Sequence, residues 1–203
     1  MPKVKGREYR NMNPLAVLPA EGNQQETYIV EGYATTFDKP YLLYEYDGVQ
    51  YFECVDRHAL DGADMSDVIM QFDHNGHVYA RTSNGTIILT PDEHGLHVRG
   101  DLGLTTSSRQ MYEEINAGLV TKMSWAFIVS EDAYDRDTHT RTILKIKKVY
   151  DVSAVSIPAN ADTDISARSF FDGVIKEEQA ERLARRKQRL TLIIDTMIGG
   201  NEK

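Results

Sequence analysis

From residue 28 onward the apolar positions of this chain recur mostly at every second place, the period of β-strands with one covered face. Residues 28–34, Tyr-Ile-Val-Glu-Gly-Tyr-Ala, combine β-branched and aromatic side chains and predict a strand, followed by a turn near Asp38-Lys39-Pro40. Residues 49–54 and 68–72 predict two more strands, and the small and acidic stretch 56–67 between them allows a short helix. Ser83-Asn84-Gly85-Thr86 is a turn signal, because Asn-Gly tolerates the positive φ angles of a type I′ hairpin, and it leads into a strand over 86–90. Residues 95–102 alternate again. Strong strands follow at 119–129 and 142–150, with the acidic, polar stretch 131–141 between them read as a loop. A further strand covers 151–157 and is stopped by Pro158, which cannot donate to a ladder.

The period changes in two places. Over 105–117, Met111, Tyr112 and Ile115 share one helical face and Gly118 stands where a helix would stop. Over 174–198 there is no Gly or Pro, charge is dense, and Leu183, Leu190, Ile194, Met197 and Ile198 approximate one stripe, which predicts a helix running past the core. Within it Arg182, Arg185, Arg186, Lys187 and Arg189 form a basic cluster suited to an acidic partner or to a solvated face. The sum is an α+β, mostly β chain: a small antiparallel β-barrel core flanked by helices, with a C-terminal helical tail. Residues 1–26 show no sustained period and are expected to be a flexible leader, 27–170 the folded domain and 171–203 the tail.

Composition narrows the function classes. At 203 residues the chain can close one substantial core. A formal charge of −8 argues against a surface built for nucleic acid or anionic lipid. No uncharged apolar run approaches the roughly 20 residues that span a bilayer, and the basic start, Met1-Pro2-Lys3-Val4-Lys5, is followed by polar residues rather than a signal-type apolar stretch. Cys54 is the only cysteine, so an internal disulfide is excluded and a reducing compartment fits. A soluble, cytoplasmic protein is the expectation.

Two segments carry reactive groups on this frame. In Lys122-Met123-Ser124-Trp125-Ala126-Phe127 the strand alternation sends Met123, Trp125 and Phe127 to the core and leaves Ser124 on the other face beside the small Ala126, with room for a peptide to approach. In Gln71-Phe72-Asp73-His74-Asn75-Gly76 an imidazole stands where a buried strand emerges into a turn, a rigid base with an open side. A serine nucleophile and a histidine base need a third group to orient the imidazole. Asp151 is the first choice, at the mouth of a strand of small and apolar residues where a carboxylate needs a partner. Ser153, two residues on and on the same face, is an alternative orienter; His97, sharing a face with Arg99, would make a Ser-His-His version; Asp73, as a sequence neighbour, would point away from His74. Zinc at Asp73-His74 and His77 is disfavoured, since His-x-x-His lies outside any helix, no cysteine is near and spacing places no further ligand. A Cys54–His58 thiol site is disfavoured by the apolar strand around Cys54. No cofactor is called for.

Over about residues 28–170 the chain resembles the caudovirus prohead (capsid maturation) serine proteases of the HK97 type, a family related to herpesvirus assemblins. The resemblance rests on an ordered set of segments: Glu31-Gly32-Tyr33-Ala34 with Phe37-Asp38, His74-Asn75, Ala80-Arg81 with Asn84-Gly85-Thr86, and residues 92–96 ahead of Asp101. Met123-Ser124-Trp125-Ala126-Phe127 and Asp151-Val152-Ser153-Ala154-Val155-Ser156-Ile157-Pro158-Ala159 complete it, with Arg168 a little beyond. Where the family commonly has Phe then Gly after the serine, this chain has Trp125 and Ala126, which bears on specificity rather than activity. The resemblance implies His74 as general base, Ser124 as nucleophile and Asp151 as the acidic third member. It further implies an endopeptidase acting inside the immature capsid in the host cytoplasm. The implied substrates are the scaffold region of the major capsid protein and the protease itself, and the assemblin link leaves a homodimer open. Oxyanion donors are not located by sequence; Arg99 is the one residue offered. The alternative is a non-catalytic capsid scaffolding component that keeps the barrel without the chemistry.

Overall fold

The computed structural model describes residues 6–18, 27–156 and 165–199. Its strands are β1 (Glu8–Val17), β2 (Ile29–Thr36), β3 (Tyr41–Tyr46), β4 (Val49–Val55), β5 (Ile69–Phe72), β6 (Asn75–Arg81), β7 (Ile87–Pro91), β8 (Gly95–Asp101), β9 (Lys122–Asp135) and β10 (Thr140–Val155). The helices are α1 (Thr106–Asn116) and α2 (Ile165–Gly199). The strands form one sheet in the order β3-β4-β10-β9-β1-β2-β8-β7, with β5 on β10 and β6 on β5 off this path. It curls into a half-barrel, so the expected mostly β architecture with a C-terminal helix holds. Most pairings are antiparallel, but β10 pairs in parallel with β4 near its start and with β5 near its end.

The concave side is filled by the bulky positions of the alternating strands: Val30, Met70, Leu96, Val98, Trp125, Phe127 and Val152 are all fully buried. Helix α1 closes one end by setting Met111 and Ile115 into this core. Thr105 caps it, its side chain accepting from the Ser108 amide at 3.1 Å, and Gly118 ends it with φ 72°. A second cluster forms where the first turns of α2 lay Phe170, Phe171, Val174 and Ile175 on Leu43, Tyr44 and Tyr51 of the β3–β4 hairpin. The indole N–H of Trp125 has no hydrogen-bond partner among the described residues, a cost of about 1–3 kcal/mol that a phenylalanine would not incur.

Several expected boundaries are corrected. The leader expected over 1–26 does not hold for Glu8–Val17, which form β1 in the middle of the sheet between β9 and β2. The stretch 131–141 is no loop: β9 and β10 run on as a twisted arm to a turn at 136–139, with Lys145 Nζ donating across it to Glu131 at 2.5 Å. The two strands predicted over 142–157 are one continuous β10. Residues 56–67 make successive turns instead of a helix. Asn84-Gly85 closes a 3-10 turn rather than a hairpin, since β6 pairs with β5 and β7 with β8. Strand β3 escaped the apolar pattern, although Asp47-Gly48, both at positive φ, is a hairpin signal of the Asp-Gly kind. The stop at Pro158, residues 1–5 and 19–26, and the side chains of Arg168, Met197 and Ile198 lie outside the described residues.

The reason β1 lacks a hydrophobic period is that its inward residues are charged. Glu8, Arg10, Glu53 and Arg141 are at most 2% exposed and form a closed ionic cluster across β1, β4 and β10. Arg10 donates to Glu8 at 2.6 Å and to both Glu53 oxygens at 2.6 and 2.8 Å. Arg141 donates to Glu8 at 2.6 and 3.0 Å, to Glu53 at 3.1 Å and to Asp132 at 2.7 Å. The Tyr41 hydroxyl adds a 2.5 Å bond to Glu53, and the Arg141 guanidinium lies 4.4 Å from the centre of the Phe170 ring. Burial alone would raise the Glu53 carboxyl, but Arg10 first and then Arg141 hold it below its usual value.

Breaking such a cluster from one side leaves uncompensated buried charge. Glu53→Gln is therefore expected to lower folding stability by about 3 kcal/mol at neutral pH. Because the folded pKa of Glu53 is depressed, its contribution is complete above the unfolded value of about 4.3 and is lost as pH falls through the lower folded value. Denaturant titrations of wild type and variant should show a constant gap from pH 7 down to about pH 5 that closes only at more acid pH.

Candidate active site

Register brings the three predicted side chains together. In the β9–β10 ladder Ser153 stands opposite Ser124 and Asp151 opposite Ala126, so Ser124, Asp151 and Ser153 share one face. On its other edge β10 pairs with β5, Asp151 beside Ile69 and Ala154 beside Phe72, so the turn after Phe72 rises next to that face. This turn is made by Asp73 and His74, with φ of 47° and 57°, between the paired Phe72 and Asn75. It is a two-residue hairpin of type I′ character. His74 thus stands where the apolar strand emerges into a turn, as expected, and Asn75 opens β6.

His74 folds back from this turn over the shared face. The Ser124 hydroxyl lies 2.5 Å from His74 Nε2, and His74 Nδ1 lies 2.5 Å from Asp151 Oδ1. With the imidazole neutral and protonated on Nδ1, it donates to the carboxylate and accepts from the hydroxyl. Asp151 also accepts from the Ser153 hydroxyl at 2.7 Å, and Ser153 in turn accepts from the Gln71 amide at 3.3 Å. The ring of Tyr9, on β1, meets the imidazole edge-on with centroids 4.7 Å apart. Ser124 and Asp151 are buried at 1% and 2% exposure, and the His74 side chain, 17% exposed, is the part that meets solvent. The expectation of a Ser124 face open to an approaching peptide is thus corrected: the His74 turn and β1 cover it.

The left-handed backbone at Asp73 and His74 costs about 1 kcal/mol or more per residue. Asp73 offsets it. Its amide donates to the Ala154 carbonyl at 3.0 Å, and its carboxylate accepts from the Ser156 amide at 3.0 Å and hydroxyl at 2.9 Å. The imidazole is thereby tied to the end of the strand that carries its carboxylate. Sequence reasoning missed Tyr9, Gln71 and Ser156; none leaves a local signal, since Tyr9 meets His74, and Gln71 and Ser156 bond to residues 82 and 83 positions away.

The other candidates are elsewhere. His97 lies on β8, 3.5 Å from Glu31 and edge-on to Tyr33, with β1 and β2 between it and β9. Arg99 is engaged by the same Glu31 at 3.2 Å, so it is not the oxyanion donor offered above. His77 bonds to the Ser107 hydroxyl at 2.9 Å, and among the described residues no group of three His, Cys, Asp or Glu could hold a metal ion. Burial, then the neighbouring Asp38, pushes the Cys54 thiol up to about 11, and His58 turns to Asp61 at 3.0 Å.

A hydroxyl, an imidazole and a carboxylate bonded in series are the means by which serine hydrolases activate their nucleophile. A family model described as caudovirus prohead serine protease matches residues 15–176, most of the chain, and the protein belongs to that family. No curated protein and no solved structure matches the chain. No described helix is long and apolar enough to cross a membrane.

An imidazole N–H that donates to a carboxylate, as His74 Nδ1 does to Asp151, makes a charge-assisted bond that deshields its proton. A proton NMR spectrum of the wild type is expected to show a far-downfield imidazole resonance that disappears in Asp151→Asn; its persistence in that variant would assign it to another histidine.

Proposed function

We propose that this protein is a prohead maturation endopeptidase that cuts the scaffold region of the major capsid protein, and itself, inside the immature shell. The observation that carries the reading is the unbroken series Ser124–His74–Asp151, with both links at 2.5 Å, on a chain of the prohead serine protease family. The proposal extends to the kinship with herpesvirus assemblins, for which the sequence resemblance is the support. A purely scaffolding protein has no use for a strained turn that aims an imidazole at a buried hydroxyl.

His74 Nε2 takes the proton from Ser124 as Oγ attacks the scissile carbonyl, forming a tetrahedral oxyanion. The imidazolium returns that proton to the departing amine, and the C–N bond breaks to leave an acyl ester on Ser124. Water, deprotonated by the same Nε2, hydrolyses the ester and restores the hydroxyl. Asp151 holds the Nδ1–H tautomer and balances the charge on the ring in both half-reactions. Ser153 is a positioning residue: its hydroxyl fixes the Asp151 oxygen that His74 uses, and the Gln71 amide fixes Ser153. Asp73 positions His74 through Ser156.

Coexpression with the capsid protein tests the assignment by gel. Wild type is expected to yield shortened capsid subunits and Ser124→Ala none; equal shortening in both would remove Ser124 from the chemistry. Asp151→Asn is expected to slow cleavage by roughly 10⁴-fold with the fold intact, because the tautomer is lost. Ser153→Ala is expected to lower kcat about tenfold or more, the worth of a hydrogen bond to a charged group, with KM held. A change confined to KM would move Ser153 out of the positioning role.

A further inference from the structure

The N-terminal turns of α2 are committed to the body through Phe170, Phe171, Val174 and Ile175, but residues 179–194 are exposed on every described side chain. That distal half lies beyond the family match, which ends at residue 176. It carries Leu183, Leu190 and Ile194 at 54%, 50% and 53% exposure. At 100° per residue these three fall within about 40° of one another, a stripe that buries nothing among the described residues, while the exposed Leu192 faces the other side and Ile193 lies between. Residues 182–189 hold five cations and no carboxylate, and the next acid is Asp195. Among the described residues Arg182, Arg186, Lys187 and Arg189 have no ion-pair partner, and Arg185 has only a 3.9 Å approach to Glu181. With the chain at −8 overall, removing these five charges leaves −13 on the remainder.

A solvated helix face explains the cations but not the leucines, since an apolar stripe left open is the feature a water-facing helix normally avoids. Nucleic acid would answer the cations and leave the stripe unused. A second copy would cover the stripe but bring Arg182–Lys187 toward an identical run, with no acid between residues 182 and 194 to balance it. Lys187 itself sits beside the stripe, between Leu183 and Leu190. A carboxylate-rich amphipathic helix satisfies both features at once: its apolar face covers Leu183, Leu190 and Ile194 while its acids meet the flanking guanidiniums.

We propose that the distal half of α2 is a docking surface for an acidic, amphipathic helical segment of a partner protein, separate from the Ser124 site and independent of peptidase activity. The probe is a fluorescent helix-forming peptide with leucines at i, i+3, i+4 and i+7 and glutamates elsewhere, titrated with full-length Ser124→Ala so that it stays uncut. Anisotropy is expected to show saturable binding. A triple variant Arg182→Glu, Arg186→Glu, Arg189→Glu should weaken it at least about tenfold, and so should Leu183→Gln, Leu190→Gln, Ile194→Gln. Circular dichroism should show helix content unchanged in both, because all six side chains are exposed. A scrambled peptide of equal composition should bind about tenfold less tightly. Absence of binding overturns the proposal. Equal affinity for the scrambled peptide or for a DNA duplex, unaffected by the leucine replacements, assigns the run to general polyanion attraction instead. A dimer by sedimentation that the leucine replacements abolish assigns the stripe to a second copy. None of these readouts uses cleavage, so failure here leaves the peptidase reading standing, and the reverse.

Discussion

Everything at the site depends on β10 being held on both edges in a fixed register. Its antiparallel ladder with β9 sets Ser153 opposite Ser124, and its parallel pairing with β5 sets the Asp73-His74 turn beside Asp151. A slip of one residue on either edge would send the carboxylate or the imidazole to the opposite face, because side chains alternate at every step. Buried apolar residues oppose such a slip: Val152 and Ala154 on β10 and Trp125 and Phe127 on β9 would all be turned out of the core. Hydrophobic patterning thus fixes the polar geometry, and the polar groups need contribute little to their own placement.

The ionic cluster has a different task. Buried ion pairs are seldom a net gain over apolar packing, yet this one is specific about which strands may be neighbours. Only β1, inserted beside β9, brings Glu8 and Arg10 to Arg141 and Glu53, and only that insertion places Tyr9 against the His74 ring. The cluster and the site occupy opposite faces of the same strand, with Glu8 and Arg10 turned one way and Tyr9 the other. Satisfying the charges and orienting the imidazole's neighbour are therefore one event.

What sequence revealed and what it concealed divide along the same line. Strands with apolar alternation, such as β2, β8 and β9, and helix α1 with its cap and terminal glycine were legible because a simple period encodes them. The three predicted site residues were legible as chemistry, each at the end or on the face of an apolar run, and they meet. Strand β1 was hidden because its inward positions hold a glutamate and an arginine whose partners lie 43 and 133 residues away. The β9–β10 arm was hidden because cross-strand ion pairs such as Lys145–Glu131 replace apolar contacts there. The turn at His74 was legible as the end of an apolar run, but its stabilisation by Ser156, 83 residues on from Asp73, was not.

The central place of β1 has a consequence for the order of events during synthesis. Strand β1, the earliest of the described strands in the chain, is inserted between β9 and β2, and its charges wait for Arg141. Contacts of such long sequence separation form late and slowly. The described sheet accordingly cannot close around β1 until the segment bearing Arg141 and the strands beside it has been made, so the earliest and the latest of the described strands are joined in one event.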